Sequence, residues 1–468
     1  MLLIKKISCG YDNIPAMFIS KCAEQLCYPL TVIFNLCILH GEYPSLLKHN
    51  NVIPICKPSK EKAFIESYRG ISIQPVIAKV FESLIKDQLQ PHIKRLIVDE
   101  QHGFQPKKST FTNLACYNEF LTKAVDSKLE VHSIYTDFRK AFDVVPHNLL
   151  LLKMKCFFGI DGISLDFFES YLRERYQRVV ISGVGSEWTH VTSGVPQGSI
   201  LGPLMFIMYI NDLPSICQHS KILMYADDAK IFRIINSVSD CLLLQFDIQR
   251  MVEWCSCWSL SINTDKCFMI SFNNKRLHFV SFTYTICGTL IEQVNVIRDL
   301  GVYFSSDLNF KYHVETICKK ANRMLGFIRR VTKPFHDSTV LCTLYKSLVR
   351  SGLEYCSSIW SPHQQYLIDK IERIQRRAVR WMCFKERKQY NRINYVSLAK
   401  SFGLPTLQSR RKVTDLRNFN KILSSNINCR ELIEGINFNV PVRQLRQNRL
   451  FNSSSRVNLR KFSFFPSY

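Results

Sequence analysis

One short stretch limits the architectures open to this chain more than any other: Met224-Tyr225-Ala226-Asp227-Asp228-Ala229-Lys230. Two adjacent carboxylates follow one apolar run, Ile222 to Met224, and precede another, Ala229 to Phe232. Apolar run, acid pair and apolar run spell a β-hairpin with the acids at its tip. Side chains alternate along a strand, so the two Asp point differently unless the turn rotates them. At least one then projects from the sheet, where it can hold a cation. Asp is also common in ordinary turns, and the heptapeptide alone does not separate the two readings.

Charge supplies the first context. Across 468 residues, 62 Lys and Arg face 38 Asp and Glu, a net charge of +24. That excess favours a polyanionic partner, nucleic acid before an anionic membrane. The longest apolar runs, such as Tyr28 to Leu39 and Leu204 to Ile210, are far short of the ~20 residues that span a bilayer. The N-terminal Met1-Leu2-Leu3-Ile4-Lys5-Lys6 has the wrong order for a signal peptide. With 46% hydrophobic residues the chain suits a globular protein, large enough for two to four domains or one multi-lobed enzyme. The 18 Cys form no CxxC pair and read as free thiols in a reducing compartment, nucleus or cytoplasm.

Taken in order, residues 14 to 47 have helical spacing interrupted at Gly41, Tyr43 and Pro44. The runs Asn51 to Cys56 and Tyr68 to Ile73 read as strands of a small sheet with Lys57 and Arg69 at its edges, followed by a helix from Val76 to Leu89. The two cations suit either plain surface charges or a clamp for the phosphates of a nucleotide. Gln101 to Thr110 is a polar, basic loop whose Ser109-Thr110 can cap the helix Asn113 to Ala124. Val131 to Thr136 has strand character, and Asp137 falls at its end. Asp143, a few residues on, suits the plainer role of helix cap.

Ser193-Gly194-Val195-Pro196-Gln197-Gly198-Ser199-Ile200-Leu201-Gly202-Pro203 is a loop whose backbone can approach a ligand closely, with Gln197 held between Pro and Gly. Beyond the Asp pair come a helix, Leu242 to Leu260, and a strand, Cys267 to Phe272, that Lys266 enters. Phe282 to Ile286 and Val296 to Tyr303 read as further strands. From Lys311 the chain turns to basic helices. The clearest, Tyr366 to Phe384, sets Ile371, Ile374, Ala378 and Trp381 on one face and Lys370, Arg373, Arg377 and Arg380 on the other, a solvated face or a phosphate track. Residues 436 to 468 are polar and weakly periodic, so partial order is expected there.

Asp137, Asp227 and Asp228 thus stand at strand ends or in a hairpin. Strands distant in sequence can lie side by side, and clustered carboxylates need a positive partner; Mg²⁺ is the usual one where phosphates are handled. The wording around these acids resembles that of one family. Tyr225-Ala226-Asp227-Asp228 is similar to the YxDD box of reverse transcriptases, and Thr136-Asp137-Phe138-Arg139-Lys140-Ala141-Phe142-Asp143 resembles their first catalytic motif, LDFSKAFD. Ser193 to Pro203 resembles SGVPQGSxLGP almost letter for letter. Tyr68-Arg69-Gly70-Ile71-Ser72 is similar to YRPIS, Gln101 to Asn113 to QxGFRxxxSTxxN, and Leu300-Gly301-Val302 to the primer grip. Over roughly residues 10 to 420 the wording is that of non-LTR retrotransposons of the jockey-like branch.

The resemblance implies an α+β right-hand polymerase fold: fingers over residues 1–130, an antiparallel palm sheet over 131–305, a basic helical thumb over 306–400 and a partly ordered extension over 401–468. It implies an RNA-directed DNA polymerase that extends a DNA primer on an RNA template with deoxynucleoside triphosphates, using two Mg²⁺, with Mn²⁺ as the alternative ion. Asp137 and Asp227 would bind both metals, Asp228 would support them, and the Phe138 carbonyl would be an additional ligand. Phe142 would be the steric gate that excludes a 2′-hydroxyl, Gln197 would line the nucleotide and template pocket, Lys57 and Arg69 would grip the triphosphate, and Lys266 would protonate pyrophosphate.

The chain departs from the pattern at Gly70, where Pro is usual, and at Gln105, where Arg is usual. It begins near Gly10-Tyr11-Asp12-Asn13-Ile14-Pro15, similar to the GPDGIP start of the polymerase region, without the endonuclease that normally precedes it; a truncated copy or partial gene is the expectation. The alternative to an active polymerase is a decayed or domesticated nucleic-acid-binding remnant. Telomerase-like and intron-maturase-like wording fits less well.

Overall fold

The computed structural model describes residues 9–57, 61–273, 280–388 and 395–436, with short pieces at 438–439, 449–450, 460 and 464. Most of the C-terminal segment expected to be partly ordered lies outside the described residues.

In chain order the strands are β1 (His49–Cys56), β2 (Tyr68–Ile73), β3 (Glu130–Thr136), β4 (Arg175–Ile181), β5 (Val184–Gly185), β6 (Thr189–Val191), β7 (Lys221–Tyr225), β8 (Asp228–Ile235), β9 (Phe268–Phe272), β10 (Thr285–Ile286), β11 (Thr289–Leu290), β12 (Glu292–Gln293), β13 (Val296–Asp299) and β14 (Val302–Ser305). The mixed α+β architecture rests on two sheets. The central one has the order β12-β9-β3-β8-β7, and the second runs β2-β1-β4-β5 with β6 on β4. In the central sheet β3, β8, β7 and β9 pair antiparallel, and β12 adds to β9 in parallel.

Alternation along these strands divides the core in two. Ile134, Ile222, Met224, Ala229, Ile231 and Met269 face one way, onto the buried helices His147–Phe158, Gly202–Tyr209 and Val238–Cys257. Val131, Leu223, Phe232, Ile270 and Phe272 face the other way. There they meet the helix Thr110–Asp126, the β13–β14 hairpin and the C-terminal helices. This two-sided burial, rather than any single propensity, fixes the register. The helix Thr110–Asp126 begins with a capping box between Ser109 and Thr112; such a cap is worth ~1 kcal/mol.

The C-terminal helices bury one face each. In Gln365–Lys385 the residues Ile371, Ile374, Ala378 and Trp381 are buried, while Arg373, Arg377 and Arg380 are exposed. On the same helix Lys370 pairs with Glu315, 2.9 Å away on the neighbouring helix Lys311–Val331.

Three expectations need correction. The helix expected over 14 to 47 is two, Ala16–Lys21 and Ala23–His40, divided at Cys22. The run Val296 to Tyr303 is not one strand but β13, a turn at Leu300-Gly301, and β14. Of Phe282 to Ile286, only Thr285–Ile286 is a strand. No helix among the described residues is long and apolar enough to cross a membrane.

Candidate active site

Strands β3, β7 and β8 bring the acids together. Tyr225 pairs with Asp228 across the hairpin, which leaves Ala226 and Asp227 as its tip, with Ala226 at φ 56. Thr136 pairs with Ala229, so Asp137 leaves β3 beside the start of β8. The two adjacent carboxylates diverge. Asp228 lies on the side of β8 that carries Lys230 and Phe232 and lines a cleft of about 330 Å³ with Asp137, Lys266, Tyr135, Lys230, Asp299 and Leu300.

The charges around the two acids differ accordingly. Loss of hydration first, then Asp137, raises the Asp227 carboxyl, while Arg69 and Lys266 pull it back. Asp228 is pushed up to about 6 by loss of hydration, then by Asp227, Asp137 and Asp299, with Lys230 opposing. Two raised carboxyls beside a third mark a cluster short of positive charge. Lys266, in the turn Thr264–Lys266 just before β9, donates from Nζ to Asp137 Oδ2 at 2.5 Å. The Asn263 backbone N–H donates to the Asp137 carbonyl at 2.7 Å and the Arg139 N–H to Ser261 O at 2.8 Å. These flank the Phe138–Ile262 bridge, so the Phe138 carbonyl stands outside that ladder while its side chain is buried. The oxygen-only donor set suits a hard cation such as Mg²⁺.

The hairpin tip is shaped from outside. Residues 100–102 run along the free edge of β7: Met224 N–H donates to Glu100 O, and His102 N–H to Met224 O, both at 2.9 Å. The Gln101 amide oxygen accepts from Gly103 N at 2.7 Å and from Ala226 N at 3.0 Å. A Cβ at Gly103 would lie 2.4 Å from the Ala226 nitrogen, so no other residue fits between loop and hairpin.

The Pro-Gln-Gly loop is pinned at both ends. Gln197 O accepts from the Ser72 N–H at 2.7 Å, and a Cβ on Gly198, at φ 117, would meet Ser72 O at 2.5 Å. The loop thereby lies against β2, the strand of Arg69. Buried Glu82 accepts from the backbone of Ile200 at 2.7 Å and Leu201 at 3.1 Å. Gln197 donates from Nε2 to Asp143 Oδ1 at 2.7 Å. Asp143 is therefore not a cap; Lys140 holds that position for Ala141–Val144, and Asp143 orients Gln197. Phe142 stacks on Phe206 with ring centroids 4.1 Å apart.

The two cations of the second sheet fare differently. Arg69 is exposed on β2 opposite Ile55 and is among the charges acting on Asp227. Lys57 follows β1, and its Nζ donates to the Glu66 carbonyl at 2.7 Å. Sequence reasoning missed Lys230, Asp299, Gln101, Glu82 and the use of Asp143. A Lys inside the apolar run Ala229 to Phe232 was a readable sign of a buried cation in need of a partner; the others carry no local signal.

Residues 55–304 match the model of the family described as reverse transcriptase (RNA-dependent DNA polymerase). The chain belongs to the reverse transcriptase family. The matched segment contains the central sheet, the second sheet apart from most of β1, and every residue of the site. Among curated proteins, the chain is 29% identical over 383 residues to the probable RNA-directed DNA polymerase from transposon X-element of Drosophila melanogaster, covering 79% of this chain and 41% of that protein. It is 27% identical over 389 residues to the RNA-directed DNA polymerase from mobile element jockey of Drosophila funebris, covering 79% and 41%. The probable RNA-directed DNA polymerase from transposon BS of Drosophila melanogaster is 26% identical over 387 residues, with 80% and 42% covered. All three are transposon or mobile-element polymerases, as the jockey-like wording of the motifs led one to expect, and the chain spans about two fifths of their length. A solved telomerase from Candida albicans, in complex with a fragment of telomeric RNA, aligns with TM-score 0.46 at 11% identity over 77% of this chain and 61% of that one. A likeness so loose adds nothing to the assignment.

Proposed function

We propose that the chain is an RNA-directed DNA polymerase of a non-LTR retrotransposon, extending a DNA 3′-hydroxyl on an RNA template. The observation that carries this is the meeting of Asp137, Asp227 and Asp228 at the ends of paired strands, inside the family-matched segment and beside Lys266. In this reading the second sheet with its helices is the fingers (1–130, joined by β4–β6), the central sheet the palm (131–305), the basic helices the thumb (306–400), and 401–468 an extension.

Asp137, Asp227 and the Phe138 carbonyl would hold two Mg²⁺, or Mn²⁺, with Asp228 supporting. When bound, such ions supply Lewis-acid stabilisation of the attacking 3′-oxygen and of the leaving pyrophosphate. The chain's own residues do the rest. Arg69, exposed and acting electrostatically on Asp227, would take the triphosphate, with Lys57 further along the same sheet. Gln197, held by Asp143, would line the nucleotide pocket, and Phe142, braced on Phe206, would lie beneath the sugar. As the 3′-hydroxyl loses its proton to solvent and its oxygen bonds to the α-phosphorus, the bond to pyrophosphate breaks and Lys266 would give its proton to the leaving group, regaining one from solvent. Template and primer would follow the exposed Arg373, Arg377 and Arg380, with affinity falling steeply with salt.

Primer extension on an RNA template with Mg²⁺ and deoxynucleotides tests the reading. Asp227→Asn should abolish extension and leave template–primer binding nearly intact; equal loss of both would make Asp227 structural. A wild-type chain that binds template–primer and never extends it is a binding remnant instead. Phe142→Ala should admit ribonucleotides in single-nucleotide incorporation, and unchanged sugar discrimination would remove the gate role.

A further inference from the structure

A second cluster of ligating side chains lies on the other side of the loop that supports the hairpin. His102, Cys116 and Cys429 are all buried, and their ligand atoms lie within 4.8 Å of one another. Cys116 is in the helix Thr110–Asp126, and Cys429 precedes the short helix Arg430–Glu434; their sulfurs are 3.1 Å apart although 313 residues separate them.

His102 Nδ1 lies 2.8 Å from Thr112 Oγ1, which also accepts from the Ser109 N–H at 2.9 Å. The tautomer with its proton on Nδ1 donates to that hydroxyl and leaves the lone pair on Nε2. A ring held through one nitrogen by a protein oxygen, with the other nitrogen basic, is the arrangement of a metal-binding histidine. With three protein donors, the fourth position of a tetrahedral site falls to a solvent oxygen.

We propose that His102, Cys116 and Cys429 form a zinc site that clamps the helix Arg430–Glu434 onto the helix Thr110–Asp126. Two sulfurs and an imidazole are soft donors that select Zn²⁺ over the Mg²⁺ preferred by the carboxylates. Binding exchanges the two thiol protons for the ion, and both protons pass to the solvent. The clamp reaches the catalytic hairpin in one step, because His102 N–H is bonded to Met224 O. It stands independently of the polymerase reading.

The test is metal content. Tag-free full chain, prepared reduced from zinc-supplemented cells, should retain one zinc per chain by atomic emission. Cys116→Ser and Cys429→Ser should each fall to near zero, while Cys257→Ser, an exposed thiol remote in sequence, keeps the metal. Exchange of Zn²⁺ for Co²⁺ in the wild-type chain should give thiolate-to-cobalt charge-transfer bands and the ligand-field bands of a tetrahedral site, a readout that does not depend on the variants folding. The proposal fails if the reduced wild-type chain holds no zinc, if both Ser variants hold as much as wild type, or if thiol titration finds the pair closed as a disulfide.

Discussion

Two lysines face the same cleft and each donates to a carboxylate, yet they do different work. Lys230 donates to Asp299, and the two side chains are 4% and 7% exposed. Tyr135 adds a hydroxyl to the same Asp299 oxygen at 3.2 Å, and the Lys230 ammonium lies 4.3 Å from the centre of the Tyr117 ring. Lys266 also contacts its partner Asp137 directly but is 64% exposed. In the first pair each charge is stranded without the other, because water cannot replace the partner. In the second, water or a phosphate can take either partner's place at little cost. The buried pair therefore joins β8 to the β13–β14 hairpin as a structural tie, and the exposed pair keeps an ammonium in waiting beside the acids.

Substitutions can break this contrast. Lys230→Met should have the largest effect, a loss of ~3–5 kcal/mol in urea unfolding, and adding Asp299→Asn should restore part of it. A single variant as stable as wild type would dissolve the distinction. Lys266→Ala should lower the extension rate by ~10²-fold, about 2.7 kcal/mol and the lower end of what a general acid supplies, with stability changed by no more than ~0.5 kcal/mol. A stability loss matching that of Lys230→Met would mean that Lys266 is a tie as well.

Asp228→Asn should have the smallest effect, and it reads the acid side of the cleft. A carboxyl raised to about 6 in the folded chain binds its proton more tightly there than when unfolded, so stability falls as pH rises from ~4 to the folded value and stays low above it. The Asn variant escapes that loss. It should melt higher than wild type at pH 7 and no differently below pH ~4, and millimolar Mg²⁺ should narrow the gap at pH 7 by stabilising wild type more than the variant.

The parts legible in sequence were those written locally. Apolar alternation and the Asp pair yielded β3, β7, β8 and β9, and with them the meeting of Asp137, Asp227 and Asp228. The motif wording supplied Gln197 and Arg69, and the structure lays Gln197 against the strand of Arg69. What escaped were polar contacts across long separations. Lys230 and Asp299 are 69 residues apart, Glu82 and Ile200 are 118 apart, and Gln101 meets Ala226 across 125. Periodicity registers which face a residue takes, not which distant polar atom it meets. Asp143 was misread for the same reason: in sequence it has the look of a helix cap, whereas it lies within the short helix Ala141–Val144, and only the fold brings Gln197 to it.

The Gln101 amide that bridges Gly103 and Ala226 makes the Ala226-Asp227 turn a discontinuous object. Its curvature is stored partly in residues 101–103 and partly in 224–227, and neither half is sufficient by itself. A transplant of Tyr225-Ala226-Asp227-Asp228 into another sheet would carry the letters and leave the mould behind. Recombination between related copies faces the same constraint: a crossover between the two segments keeps both motifs intact on paper yet joins a hairpin to a loop that was never fitted to it.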